Sequence, residues 1–218
     1  LGLNVLKEAG MKKEYKSLKD DFIRTGDTFV RNGLNYPSHE VNYEQSIVAP
    51  SLQFLLQLYM ETGEQKYLEQ AKYFIDARGV GENYFLKEMG RPGFQYIFPE
   101  FKDYEPLYSQ SHLPVREQKT AEGHAVRAMY MYSAMADLAE ACGDDSLMEA
   151  CRALWDNVTG KRMYITGSIG SSGILERFTA DYDLPNDCNY SESCASIGLA
   201  MFGSRMGSIT REAKYYDV

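Results

Sequence analysis

The chain has 218 residues, of which 44% are apolar, and a formal net charge of −8. This length and apolar content suit one large domain with a sizeable core. The acidic balance argues against nucleic acid or an anionic membrane surface as the main partner. No run of about twenty apolar residues occurs, so we predict no transmembrane helix. Four cysteines in a chain this long suit a reducing compartment, so we expect a cytoplasmic protein; a homodimer is left open.

Helical periodicity dominates the first half of the chain. Apolar residues at helical spacing predict one helix through "SIVAPSLQFLLQLY" and a second over Tyr67–Ile75. The segment Arg78–Glu117 that follows is a long insert rich in aromatic residues, which we interpret as the wall of a cleft. The best strand signals are short, "GFQYIF" within this insert and "RMYITG" farther along.

A second helical hairpin is predicted in the middle of the chain. "HAVRAMYMYSAMADLAEA", from His124 to Ala141, indicates one long helix that is buried on more than one side. Ser146–Val158 indicates its antiparallel partner. Another helix is predicted through "ASIGLAMFGSRM", with Ser191 or Ser193 as its N-cap.

The helical hairpins repeat in sequence. "YMETGEQKYLEQAKYFI" from Tyr59 matches "AEACGDDSLMEACRALW" from Ala139, with Gly63 aligned on Gly143. In both copies the glycine closes the leading helix. "TREAKY" near the end matches "TGEQKY" and begins a third copy that stops early. Hairpins that cannot bury their own apolar faces stack into solenoids or closed toroids, so we predict an all-α fold that is a fragment of a longer repeat.

Glu192 and Cys194 lie where a loop becomes a helix. On an extended segment their side chains can converge, and the backbone N–H groups at a helix start favour anions and thiolates. A carboxylate and a thiolate are half of a tetrahedral zinc site. The alternative is structural, a capping glutamate followed by a buried cysteine that acts as a small hydrophobic residue. Spacing alone favours this alternative.

Two other residues are candidates for chemistry. Glu176 follows the glycine-rich "TGSIGSSGIL", which could present a carboxyl group into a cleft as a general acid; an exposed loop glutamate is the alternative. His124 opens the longest helix and could bind a hydroxyl group, although a core histidine bonded to a carbonyl is commoner. His39 and His112 lie in predicted loops and are weaker candidates.

Three ordered segments resemble a known family. They are "YSQSHLPVREQKTAEGHAVRAMYMYSAMADLA", "MYITGSIGS" and "ERFTADYDLPNDCNYSESCASIGL". Together they resemble glycoside hydrolase family 127, the β-L-arabinofuranosidases, over about half of the chain. The resemblance implies a carbohydrate substrate, an (α/α)6 barrel and a retaining mechanism with a zinc-bound cysteine nucleophile. It implies that Glu176 is the general acid/base, that His124 binds the sugar, and that Glu192 and Cys194 are zinc ligands.

We therefore expect an all-α chain that forms a partial (α/α)6 toroid of repeated αα-hairpins. Residues 1–218 are expected to be a single catalytic-domain fragment, truncated at both ends. The family takes its nucleophile from a Cys-Cys-Pro motif that this sequence lacks, so zinc is expected only in the complete protein. The resemblance also leads us to expect a histidine early in the chain, and Val48 stands near its position. Two alternatives stay open, namely another carbohydrate-active enzyme on the same toroid (a lyase or a metal-free hydrolase) and a non-catalytic sugar-binding protein.

Overall fold

The computed structural model describes residues 2–35, 45–83, 86 and 105–218. In these ranges the regular structure is helical, and β-pairing is limited to isolated bridges. No helix among the described residues is long and apolar enough to cross a membrane. The α-helices are α1 (Gly2–Glu8), α2 (Lys12–Asn35), α3 (Gln45–Thr62), α4 (Gln65–Ala77), α5 (Ala125–Cys142), α6 (Asp145–Lys161) and α7 (Ser193–Thr210). Short 3₁₀ turns occur at Pro106–Ser109, Val115–Glu117, Ile174–Glu176 and Ala213–Tyr215.

Helix α5 lies at the centre of the core because it is apolar on nearly all sides. Helices α3, α6 and α7 all pack against it. Its buried residues include Met129, Tyr132 and Met135, none of which is exposed to solvent. A helix that is hydrophobic all round has to be enclosed by other elements. The predicted burial of this helix on more than one side is confirmed.

The two predicted hairpins are α3–α4 and α5–α6. Gly63 and Gly143, which follow the leading helices, have φ angles of 71° and 62°. A Cβ atom at either position would meet no atom within 4 Å. Glycine is therefore favoured there by the left-handed backbone of the turn and not by lack of space.

Several predictions about local structure are corrected by the coordinates. The N-cap of α7 is Glu192, not Ser191 or Ser193, and its side chain makes no capping hydrogen bond. The predicted strand "RMYITG" is a turn that contributes one residue to an isolated bridge, Met163 with Ile169. The predicted strand "GFQYIF", the candidate His39 and the side chain of Val48 lie outside the described residues.

Candidate active site

Two irregular segments that each lead into a helix form the candidate site. Residues 105–124 lead into α5, and residues 170–192 lead into α7. The backbone N–H of Phe178 donates to the carbonyl of Gly123 at 2.9 Å and joins the two segments. Gly123 has a φ of 73°, and a Cβ atom there would lie 2.1 Å from the carbonyl oxygen of Leu107. A glycine before the helix is thus required for the close approach of the backbone.

Glu176 lies at the tip of a tight turn in the second segment. Ser172 and Arg177 exchange two backbone hydrogen bonds, of 3.2 and 3.1 Å, that close this turn. Leu175 and Glu176 both have positive φ angles, 58° and 49°. The left-handed conformation costs a non-glycine residue about 1 kcal/mol. Such strain persists only where the surrounding structure fixes it, and it is concentrated at functional sites.

His124 is the N-cap of α5, and both of its ring nitrogens are bonded. Nδ1 accepts the backbone N–H of Arg127 at 3.5 Å, and Nε2 lies 2.9 Å from Oε2 of Glu176. Because Nδ1 accepts, the proton is assigned to Nε2 and is donated to the carboxylate. Burial, and then the positive charge of Arg127, lowers the pKa of His124 to about 4. The imidazole is therefore a neutral donor at pH 7.

Tyr190 links the two glutamates and is the site residue that sequence reasoning missed. Its hydroxyl lies 2.8 Å from Oε1 of Glu176 and 3.3 Å from Oε2 of Glu192. The hydrogen bond to Glu176 is the main reason why the pKa of Tyr190 rises to about 12. Burial, and then the negative charge of Glu176, raises the pKa of Glu192. The signal available in the sequence was the position of Tyr190 two residues before Glu192.

The coordinates connect three of the four predicted site residues through these contacts. His124 bonds to Glu176 directly, and Tyr190 bridges Glu176 to Glu192. Cys194 is exposed in the first turn of α7. The buried cysteine of the structural alternative is therefore wrong, whereas Glu192 does occupy the N-cap position, without a capping hydrogen bond from its side chain. His112 lies in the loop before Val115–Glu117, where burial lowers its pKa.

Possible metal ligands are sparse in the candidate site. Among the described residues, no three His, Cys, Asp or Glu side chains are grouped so that they could hold a metal ion. Glu192 and Cys194 have the donor chemistry of zinc ligands, but a tetrahedral site needs four ligands. The two residues do not complete a zinc site by themselves. Cys142, Cys151, Cys188 and Cys194 are all free thiols.

A buried arginine holds the two site segments against α6. Arg162, which is 6% exposed, donates Nε to Asp181 at 2.8 Å and Nη2 to Glu122 at 3.0 Å. Its Nη1 also donates to the carbonyl of Ala121. Glu122 precedes His124 in the first segment, and Asp181 follows the Glu176 turn in the second. Arg162 therefore fixes both segments relative to one helix.

An open groove of about 310 Å³ adjoins this cluster. Arg177, the residue after Glu176, lies on its wall and pairs with Glu105 at 3.5 Å. Gly123, the residue before His124, lines the same groove. The groove is therefore formed by the two site segments and lies next to His124 and Glu176, which do not line it. Its remaining lining residues are Leu107, Tyr108, Glu122, Phe178, Thr179 and Ala180.

Comparison with known proteins decides the family. The profile of the β-L-arabinofuranosidase, GH127 catalytic domain matches residues 31–218. The chain belongs to glycoside hydrolase family 127. This membership confirms the predicted fold class, an all-α chain that is a partial (α/α)6 toroid.

Three relatives show the extent of the similarity. The non-reducing end β-L-arabinofuranosidase of Bifidobacterium longum subsp. longum is 42% identical over 164 residues, which are 75% of this chain and 25% of that enzyme. The crystal structure of a family 127 β-L-arabinofuranosidase from Geobacillus stearothermophilus T6 is 51% identical with a TM-score of 0.71, covering 76% of this chain and 26% of that one. Another family 127 β-arabinofuranosidase is 41% identical with a TM-score of 0.64. The match covers 83% of this chain and 24% of that one. The chain spans about a quarter of the length of these relatives.

Proposed function

We propose that this chain is part of the catalytic domain of a glycosidase that hydrolyses β-linked L-arabinofuranose. The observation that carries the proposal is the environment of Glu176. Each of its carboxylate oxygens accepts a hydrogen bond, one from His124 and one from Tyr190. A loop glutamate with no function is normally solvated and free to rotate, whereas this one is held in one orientation on a strained turn. Membership of family 127 supports the substrate class.

In this proposal Glu176 is the general acid/base. In its protonated form it gives its proton to the glycosidic oxygen as the bond from that oxygen to the anomeric carbon breaks. The carboxylate that remains then takes a proton from the water that attacks the anomeric carbon, which regenerates the acid. His124 is proposed to bind the sugar, and its contact with Glu176 supports a place beside the carboxyl group that would protonate the glycosidic oxygen.

We also propose the retaining course that the family resemblance implies. A cysteine thiolate outside residues 1–218 would attack the anomeric carbon and leave again when water replaces it. Glu192 and Cys194 would be the two zinc ligands that this chain supplies in the whole protein. Zinc, when bound, would keep a cysteine ligand as the thiolate near neutral pH.

The test is hydrolysis of p-nitrophenyl β-L-arabinofuranoside by the whole protein, with the anomeric form of the first product identified by NMR. Retention is expected. Glu176→Gln should lower kcat/KM for methyl β-L-arabinofuranoside by about 10²–10⁴-fold, the usual size of general acid–base catalysis. Glu149→Gln, which alters an exposed residue of α6, is the matched control and should leave the rate unchanged. The proposal is wrong if the wild-type protein releases no arabinose or if Glu176→Gln is as active as the control.

A further inference from the structure

The hydroxyl of Tyr190 stands between two carboxylates. It is 2.8 Å from Glu176 and 3.3 Å from Glu192. A phenol has one proton to donate, so the shorter distance assigns that proton to Glu176. The contact with Glu176 is thus the dominant polar interaction of this side chain.

The backbone holds Tyr190 in place although its side chain is partly exposed. The N–H of Tyr190 donates to the carbonyl of Ser171 at 3.0 Å, and the N–H of Ser191 donates to that of Gly170 at 2.9 Å. The ring lies beside Gly173, at the base of the turn that carries Glu176. Tyr190, the donor, and Glu176, the acceptor, therefore belong to two backbone segments that are hydrogen-bonded to each other. These backbone bonds set the distance between the two residues.

Glu176 receives its two donors on different oxygens. His124 donates to Oε2 at 2.9 Å and Tyr190 donates to Oε1 at 2.8 Å. One donor would leave the carboxylate free to rotate about that contact, whereas two donors fix its plane. Each carboxylate oxygen keeps a second lone pair, and the fixed plane aims these lone pairs in constant directions. Orientation of this kind is worth much in catalysis, because a misplacement of 1 Å can lower a rate about 10²-fold.

We propose that Tyr190 is a positioning residue that orients Glu176 for proton transfer to the leaving group. The inference rests on the proposed role of Glu176. It assigns no contact between Tyr190 and the sugar. Its consequence is specific, because loss of the hydroxyl should harm only the steps in which Glu176 transfers a proton. The first of these, delivery of the proton to the leaving group, is the one that kcat/KM reports. A tyrosine that merely packed its ring would show no such dependence.

The experiment compares Tyr190→Phe with the wild type in the whole protein, on two substrates that differ in their need for an acid. The methoxide leaving group of methyl β-L-arabinofuranoside needs a proton, whereas p-nitrophenolate leaves with little help. We expect kcat/KM of Tyr190→Phe to fall about 30-fold on the methyl glycoside and less than about threefold on the nitrophenyl glycoside. Tyr182→Phe, at a tyrosine that is 71% exposed in the same segment, should match the wild type on both.

Two outcomes would overturn the inference. An equal fall of kcat/KM on both substrates would show that the hydroxyl has only a structural role. An unchanged kcat/KM on both would show that the hydroxyl does not contribute to catalysis. Crystal structures of the wild type and Tyr190→Phe give a second measurement that needs no activity, since the carboxylate of Glu176 should rotate or split into two orientations when the donor is lost. An unmoved carboxylate would contradict the inference even if the wild type proved inactive, and inactivity of the wild type would count against the proposed function alone.

Discussion

His124 shows how one position in the fold selects a single tautomer. The N-terminus of α5 places the N–H of Arg127 on Nδ1, so the only proton of the neutral ring is on Nε2, facing Glu176. A protonated ring would lose the capping bond, because the hydrogen on Nδ1 would then face the backbone N–H of Arg127. Burial acts in the same direction, since it disfavours the charged form. The helix start and the core thus make His124 a permanent donor at neutral pH.

This arrangement predicts a pH dependence of stability. The pKa of His124 is about 4 in the folded protein and about 6.5 in an unfolded chain. The folded state therefore binds fewer protons between these values, and its stability falls as the pH drops from 6.5 towards 4. The full loss is at most about 3 kcal/mol. Above pH 6.5 the contribution is constant.

The matched variant is His124→Asn, whose side-chain oxygen can still cap the helix but does not titrate. Denaturant unfolding at several pH values between 4 and 7 should show a steeper loss of free energy for the wild type than for the variant. Equal slopes would mean that His124 does not remain neutral in the folded protein.

At the scale of the element, the end of α7 repeats the end of α3 closely. Thr210 donates its hydroxyl to the carbonyl four residues before it at 2.7 Å and accepts the N–H two residues after it at 3.3 Å. Thr62 makes the same two bonds at 2.7 and 3.2 Å. Tyr67 and Tyr215, five residues after these threonines, are both buried. The third sequence copy is therefore a third copy of the helix-ending turn.

One position breaks the repeat, because Arg211 stands where the other copies have glycine. Its φ of 62° equals that of Gly143. We predict that Arg211→Gly raises the free energy of unfolding by about 0.5–1 kcal/mol and that Gly143→Ala lowers it by about 1 kcal/mol. A Cβ atom at Gly143 meets no atom within 4 Å, so the loss is conformational and not steric.

Gly160, inside α6, is the control for these turn substitutions. It too has open space for a Cβ atom, but its backbone is helical. Gly160→Ala should therefore stabilise the protein by about 0.5–1 kcal/mol, since alanine is the better helix former. Chemical denaturation of the three variants checks the signs. The same sign for Gly143→Ala and Gly160→Ala would rule out the conformational explanation.

At the scale of the whole molecule, the Arg162 cluster ties the site to the hairpin framework. Its guanidinium reaches one segment through Glu122 and the other through Asp181. Hydrogen bonds from Arg162, and then from Lys161 and Asn157, hold the pKa of Asp181 well below its usual range. Asp181 therefore stays charged, and its contact with Arg162 is an ion pair. The planar guanidinium fork of Arg162 reaches both carboxylates and also donates to the carbonyl of Ala121.

We predict that Arg162→Met lowers the free energy of unfolding by about 2–4 kcal/mol, because it leaves two partly buried carboxylates without their shared partner. Lys161→Met is the matched control. Lys161 also contacts Asp181, at 2.9 Å, but its side chain is 43% exposed, and exposed pairs contribute at most about 1 kcal/mol. Denaturant unfolding measures both. Equal losses for the two variants would show that the cluster does not depend on Arg162.

The prediction for zinc also belongs to the scale of the whole molecule. We predict that residues 1–218 alone bind zinc weakly or not at all, since Glu192 and Cys194 are two ligands where a site needs three or four. The whole protein should contain about one zinc per chain, and Cys194→Ser should lower that content. Elemental analysis after dialysis measures both, with Cys188→Ser, also at an exposed cysteine, as the control. A full zinc content in residues 1–218 would contradict the prediction.

The hairpins, and three of the four residues that the structure links in the candidate site, could be predicted from the sequence. Helices, and the glycine turns after α3 and α5, follow from contacts between residues three to five apart, which periodicity and turn residues record directly. The family resemblance, carried by ordered motifs, named Glu176, His124 and Glu192 as candidates. A contact that is local, or a motif that is contiguous, can be recognised without knowing the path of the chain.

The way in which those candidates are held depends on the path of the whole chain. Tyr190 is one of seventeen tyrosines, and its pairing with Glu176 depends on left-handed backbone at Leu175 and Ser191 that no residue type announces. The left-handed backbone at Ser191 also explains why α7 has Glu192 as its N-cap and not Ser191 or Ser193. Arg162 gained its role because three separate segments converge on one guanidinium. Hydrogen bonds between distant residues depend on the route of the backbone, and that route is fixed by the packing of the whole core.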